Sequence, residues 1–225
     1  HIPVYPIPKG ASALKRWKHN NFIKGNVSNF LYQKIKENPN EVTLIGIGNL
    51  TNIATLFREY PDAPLLLKGL YIMNGYFGKE ELPDPCWNWN SWADPLASKV
   101  VFASSIASYK AIPLEVTNML TIEANKVNEI FKIDSKLMKA VFDFGNSWLE
   151  SSNKLTFHDP LVAVSLFYPD ICCFKKGFVE VETEKVENMG GTHFIPSENG
   201  NVEIAISVDK VGFYNILSSV LNHHL

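Results

Sequence analysis

The sequence predicts an α/β fold in which a mostly parallel sheet is flanked by helices. Two observations carry this. Short runs rich in Val, Ile and Leu recur between segments of helical periodicity, and such alternation is satisfied by parallel strands joined through right-handed crossovers. The chain of 225 residues is also 46% hydrophobic, enough to bury one large core, so residues 1–225 read as a single domain.

The elements follow in order. His1-Ile2-Pro3-Val4-Tyr5 reads as an opening strand, followed by a polar, basic loop from Lys9 to Asn26 and a helix near Asn29 to Glu37. Val42 to Ile47 is an apolar run that turns through Gly48-Asn49 into an amphipathic helix, with Ile53, Leu56 and Phe57 at helical spacing. The next strand is Leu70 to Met73. A Pro- and Trp-rich loop, Gly78 to Trp92, interrupts the pattern before a helix at Pro95 to Ala103 and a strand at Tyr109 to Leu114. Asp94-Pro95 is a helix-start pair, since Asp favours the N-cap and Pro the first helical position. Helical spacing returns in Ile122 to Phe131, in Leu137 to Leu149, and in Pro160 to Phe167 behind a second such pair, Asp159-Pro160. Two strands, Phe178 to Val181 and Val202 to Val208, and a helix from Val211 to Leu221 complete the chain. Long loops beyond the carboxyl ends of such strands are where α/β proteins place ligands.

Composition removes several function classes. The formal net charge of -2 argues against a polyanion-binding face, and no apolar run reaches the roughly eighteen residues of a membrane span. Neither nucleic acid nor membrane is therefore an expected partner. Cys86, Cys172 and Cys173 have neither the count nor the spacing of a disulfide framework or zinc site, and core packing is their default role.

The segment richest in chemistry is Phe157-His158-Asp159-Pro160, an imidazole beside a carboxylate at a helix start. By itself it is a capping signal contributing about 1 kcal/mol. Four other segments change its weight: VTLIGIGNLTNIA at Val42 to Ala54, Leu70-Tyr71-Ile72-Met73-Asn74-Gly75, Trp89-Asn90-Ser91-Trp92-Ala93-Asp94-Pro95, and Ile112-Pro113-Leu114-Glu115-Val116-Thr117. In this order, and across most of the chain, the set resembles the nucleoside hydrolase family of the inosine-uridine preferring N-ribohydrolase type.

The resemblance implies a Rossmann-like nucleoside hydrolase fold, a ribonucleoside substrate, and hydrolysis of its N-glycosidic bond to ribose and free base. It also implies a calcium ion that holds the attacking water and the ribose diol. Asp159 matches the family's C-terminal calcium ligand, and Ile47 sits at the strand end whose backbone carbonyl is another; both are the oxygen donors that calcium takes. His158 matches the residue that in some members helps protonate the departing base. Asn90 matches the Asn that binds ribose hydroxyls, and Met73 a position lining the ribose site. Trp87, Trp89 and Trp148 are candidate faces for base stacking, with core or loop packing as the equal alternative. Family members are commonly dimers or tetramers, so a homo-oligomer is expected. A cytoplasmic location is expected too, although Asn26-Val27-Ser28 is the glycosylation sequon of a secreted protein.

Two departures stand beside the resemblance. The family opens with a strand running into Asp-x-Asp-Pro-Gly-x-Asp-Asp, which supplies further calcium ligands and the general base, and that wording is not in this sequence. The first strand-helix units of the family are thus expected to be missing here. Asn88 stands where the family has a Glu that holds the ribose 5'-hydroxyl, which implies an altered 5' preference. Two alternatives accompany the hydrolase reading: a non-catalytic nucleoside-binding relative, and a hydrolase of another ribosyl compound.

Overall fold

Asn26 opens the first helix in the way its residue type favours, its Oδ1 accepting from Asn29 N at 3.0 Å, and α1 (Val27–Glu37) follows. The computed structural model describes residues 25–78, 88–127, 135–149 and 152–223. Expectations for the opening strand, the basic loop, Trp87 and Cys86 lie outside the described residues.

Alternation then builds the sheet. β1 (Thr43–Gly46), α2 (Thr51–Glu59), the short α3 (Ala63–Leu66), β2 (Gly69–Met73), α4 (Trp89–Trp92), α5 (Pro95–Phe102) and β3 (Tyr109–Ile112) succeed one another. β1, β2, β3 and the late strand β8 (Val202–Val208) are parallel neighbours in that order. β6 (Cys172–Val181) and β7 (Thr192–Pro196) add an antiparallel ribbon beyond β8, giving the order β1-β2-β3-β8-β6-β7. β2 is buried along its whole length, the mark of a parallel strand covered on both faces. Leu70 and Ile72 join one apolar cluster with Ile53, Leu56, Val101 and Phe102 from α2 and α5. Tyr71 and Met73, pointing the other way, join a second with Met138, Leu161 and Phe213. Those three lie on α7 (Lys136–Leu149), α8 (His158–Phe167) and α9 (Lys210–His223).

The sequence-based expectations hold for the parallel core and fail in identifiable places. The strand expected to run to Leu114 ends at Ile112, because Pro113 stops the ladder and Leu114–Thr117 forms a short helix, α6. Helical spacing over Ile122 to Phe131 is overturned only at its start: Thr121–Glu123 is a strand, β4, paired antiparallel with β5 (Lys154–Thr156), and a 3-10 turn follows at Ala124–Lys126. Cross-strand partners decide this, with Thr121 and Thr156 hydroxyls 2.8 Å apart and Lys154 Nζ 3.5 Å from Glu123 Oε1. Residues 128–134 lie outside the described set. The strand expected at Phe178 starts earlier, at Cys172. Cys172 is buried as core packing predicts, whereas Cys173 faces the opposite side of the strand and is exposed.

Candidate active site at the carboxyl edge of the parallel strands

Parallel strands bring their carboxyl ends to one edge, and Ile47, Met73 and Asn90 stand there, whereas Trp148 bonds the β5 strand instead. Ile47 follows β1 directly and is 48% exposed. Met73 ends β2 and is buried. Asn90, from the first turn of α4, donates Nδ2–H to the Met73 carbonyl at 2.8 Å, with the Met73 sulfur 3.4 Å from the same nitrogen. The strand end thus orients the carboxamide, and its donor side is turned toward Met73.

Asn88 is buried, and its amide is committed to backbone. Oδ1 accepts from Gly75 N at 3.2 Å, and Nδ2 donates to Gly190 O at 3.3 Å. Gly75 has φ +95°, a left-handed conformation that an L side chain resists, and a Cβ there would meet the Phe77 ring at 2.6 Å. Beside it, Tyr76 N donates to Thr192 Oγ1 and that hydroxyl donates to Tyr76 O, each at 2.9 Å. Asn88 and Thr192 therefore stitch the β6–β7 ribbon to the segment leaving β2. Trp89 packs against Trp92 at 5.3 Å between ring centroids, and Trp148 Nε1 donates to Lys154 O at 3.2 Å.

The two Asp-Pro pairs expected to start helices differ. Asp94 is the N-cap of α5: Oδ1 accepts from Ala97 N at 3.0 Å, and Pro95 takes the first helical position. At the second pair the capping expectation fails. α8 begins two residues earlier, at His158, with buried Phe157 at the cap position making no side-chain cap bond. Phe157 is fixed instead by packing, its ring 5.8 Å from Phe213 and 5.9 Å from Tyr214, and by its N–H to Leu120 O at 3.0 Å. Asp159 is thereby shifted into the first turn, where its carboxylate makes no hydrogen bond or ion pair with the described residues. The residue is exposed overall, yet loss of water around its carboxyl raises its pKa.

His158 is half-buried and tied to α6 by a 2.7 Å contact between Nδ1 and Thr117 Oγ1. Burial lowers its pKa, so the neutral ring is favoured. Thr117, fully buried, also donates to Leu114 O at 3.0 Å. Two residues from Thr117 stands Glu115, whose Oε1 accepts from Phe77 N at 3.0 Å while Oε2 is buried without a partner among the described residues. Burial raises the Glu115 pKa, an effect offset only in part by the backbone N–H groups of Glu115 and Phe77. Thr117 and Glu115 carried no role in the sequence reading, although both stand in one of its motifs; a hydroxyl and a carboxylate just past a strand end were the available signal.

A cleft of about 1450 Å³ lies next to this edge, lined by Tyr76, Phe77, Asn88, Glu115, Lys175 and Thr192 among others, but not by His158, Asp159, Asn90 or Ile47. The residue chemistry, not the cleft, therefore locates the site. For calcium, Asp159 and the Ile47 carbonyl are donors of the right type. They are a fraction of the about six to eight oxygens calcium takes, and among the described residues no group of three or more His, Cys, Asp and Glu is placed to hold a metal. These residues fit part of a coordination shell.

Fold and edge together define a doubly covered α/β protein with imidazole, carboxylate and carboxamide groups beyond its parallel strands. The chain matches the family model for inosine-uridine preferring nucleoside hydrolases over residues 8–215. It is 32% identical over 190 residues to the non-specific ribonucleoside hydrolase RihC of Escherichia coli, covering 81% of this chain and 61% of that protein. It is 30% identical over 163 residues to uridine nucleosidase 1 of Arabidopsis thaliana, covering 70% of this chain and 48% of that protein. The fold superposes on a plant nucleoside hydrolase with a TM-score of 0.78 at 22% identity, covering 92% of this chain and 70% of that one. It superposes on the purine-preferring ribonucleoside hydrolase from Gardnerella vaginalis with a TM-score of 0.77 at 18% identity, covering 90% and 67%. The chain belongs to the inosine-uridine preferring nucleoside hydrolase family. It spans 48% to 61% of the length of these two curated relatives.

Proposed function

We propose that this chain carries the strand-end part of a site that hydrolyses the N-glycosidic bond of ribonucleosides, releasing ribose and free base. The observation that carries the reading is the contrast between two Asp-Pro pairs: Asp94 caps its helix, whereas the Asp159 carboxylate bonds none of the described residues. An unpaired carboxylate losing water is costly unless a cation or ligand meets it. Asp159 and the Ile47 carbonyl would hold calcium, which when bound supplies a Lewis acid for the attacking water and the ribose diol. Asn90 orients the sugar. Its Nδ2 is engaged by Met73, so Oδ1 is the side that accepts from a ribose hydroxyl. Met73 closes the floor of the ribose region from the strand end.

The 5' end of the sugar meets different chemistry. Asn88 replaces the carboxylate expected from the family, and its amide already bonds Gly75 and Gly190. This supports a relaxed 5' preference, which would appear as a reduced penalty for 5'-deoxyribonucleosides. Ribose release from inosine, uridine, cytidine and adenosine, with calcium and after chelation, tests the reading on the full chain and its Asp159→Ala variant. Calcium-dependent release lost in the variant supports it. Release indifferent to Asp159 removes that residue from the site, and no release from folded protein favours a binding protein or another ribosyl substrate.

A further inference from the structure

The hydroxyl of Thr117 meets two partners at once, Leu114 O at 3.0 Å and His158 Nδ1 at 2.7 Å. A carbonyl oxygen only accepts, and a threonine hydroxyl has a single proton to give. Both contacts are hydrogen bonds in one arrangement alone: Oγ1–H donates to Leu114 O, and Nδ1–H of His158 donates to Oγ1. The reverse assignment, Oγ1–H to Nδ1, leaves Oγ1 and Leu114 O facing each other at 3.0 Å without a proton between them. Thr117 is 0% exposed, so water does not repair that loss. His158 Nε2, in contrast, bonds none of the described residues.

We propose that Thr117 is a positioning residue that holds His158 in its Nδ1–H tautomer, so that the ring presents Nε2 at the carboxyl edge with a lone pair. The sequence expectation for His158 was leaving-group protonation. A neutral Nδ1–H ring does the opposite through Nε2: it accepts, from a sugar hydroxyl or from water. That consequence rests on the ribonucleoside reading above, whereas the tautomer itself does not.

The test is nitrogen NMR of the full chain with ¹⁵N-labelled histidine at alkaline pH, where the neutral ring's protonated and lone-pair nitrogens give well-separated signals. The chain has six histidines, and loss of one set of signals in His158→Gln assigns His158. The expected result is a protonated Nδ1 and a lone-pair Nε2 in the natural protein and in Thr117→Ser, which keeps the hydroxyl. Thr117→Val, which removes the acceptor at nearly the same volume, is expected to exchange the two signals. A natural protein with Nε2–H, or a Thr117→Val spectrum without exchange, overturns the proposal. If Thr117→Val does not fold, the natural protein and Thr117→Ser decide it. Because no turnover is involved, a failed ribose-release assay leaves this result standing.

Discussion

Thr51 Oγ1 donates to Asp94 Oδ2 at 2.5 Å, joining the first turn of α2 to the N-cap of α5. The two helices pack side by side on one face of the sheet. Asp94 thus serves two helix starts with two oxygens, one for Ala97 N and one for Thr51.

Removing that carboxylate breaks both links. Asp94→Ala is expected to cost about 1–3 kcal/mol, combining a lost cap with a lost charge-assisted hydrogen bond. Urea denaturation measures it. Asp94→Asn keeps an oxygen for the cap and should cost less. A double-mutant cycle with Thr51→Val should show coupling between the two positions, and simple additivity would mean the 2.5 Å contact contributes nothing.

Asp159 should behave in the opposite way. Its carboxylate bonds no described residue and is partly stripped of water, so Asp159→Asn is expected to leave stability unchanged or raise it slightly, by about 0.5 kcal/mol or less. Under the proposed calcium role, millimolar calcium raises the melting temperature of the natural protein through preferential binding to the folded state, and not that of Asp159→Asn. An equal calcium shift in both proteins would remove Asp159 from the ligand set.

These two aspartates show what was legible in the sequence. The same dipeptide, Asp-Pro, predicts an N-cap at both places, and local chemistry delivers it only at Asp94. At Asp159 the burial of Phe157 against Phe213 and Tyr214 moves the helix start by two residues, and that packing partner is more than fifty residues away. The parallel core was legible because β2, β3 and β8 are short apolar runs whose alternate side chains fill both faces. The β4–β5 pair was not, since Thr121 to Glu123 is a strand only by virtue of Lys154 to Thr156. The roles expected of Asn90 and His158 came from the family resemblance. Their actual partners, Met73 O and Thr117 Oγ1, depend on contacts that no spacing rule encodes.

Glu115 gives a pH signature. Burial raises its carboxyl pKa in the folded protein above the ordinary value of 4.5, and its Oε2 has no partner among the described residues. Protonated Glu115 therefore favours the folded state. That contribution is fully present below the unfolded pKa and is lost as pH rises through the folded one. Glu115→Gln stays neutral throughout and escapes the loss. Relative to the natural protein, its stability should rise as pH climbs above the ordinary carboxyl value of 4.5 and level off once Glu115 is ionised in the folded state. Denaturation midpoints across that range measure the difference. A gap independent of pH would mean that the Glu115 carboxylate is solvated.

Asn88 is the sharpest place to separate structure from recognition, because it was expected as a 5' sugar contact and is found bonding two backbone groups. Asn88→Leu strands Gly75 N–H and Gly190 O in a buried region, a cost of about 2–4 kcal/mol if each unmet group contributes its usual penalty. Asn88→Asp keeps an acceptor for Gly75 N but turns an oxygen toward Gly190 O in place of a donor, so it too should destabilise. Because Gly75 also accepts from Leu114 N at 2.9 Å, the damage should spread to α6 and to the Thr117–His158 contact. A sugar-contact role predicts a rise in KM confined to substrates bearing a 5'-hydroxyl, with stability unchanged. The bonding of Asn88 predicts the reverse: a lowered denaturation midpoint, with catalysis falling alike for 5'-hydroxyl and 5'-deoxy substrates. Thermal denaturation alongside kinetics on such a substrate pair tells the two apart.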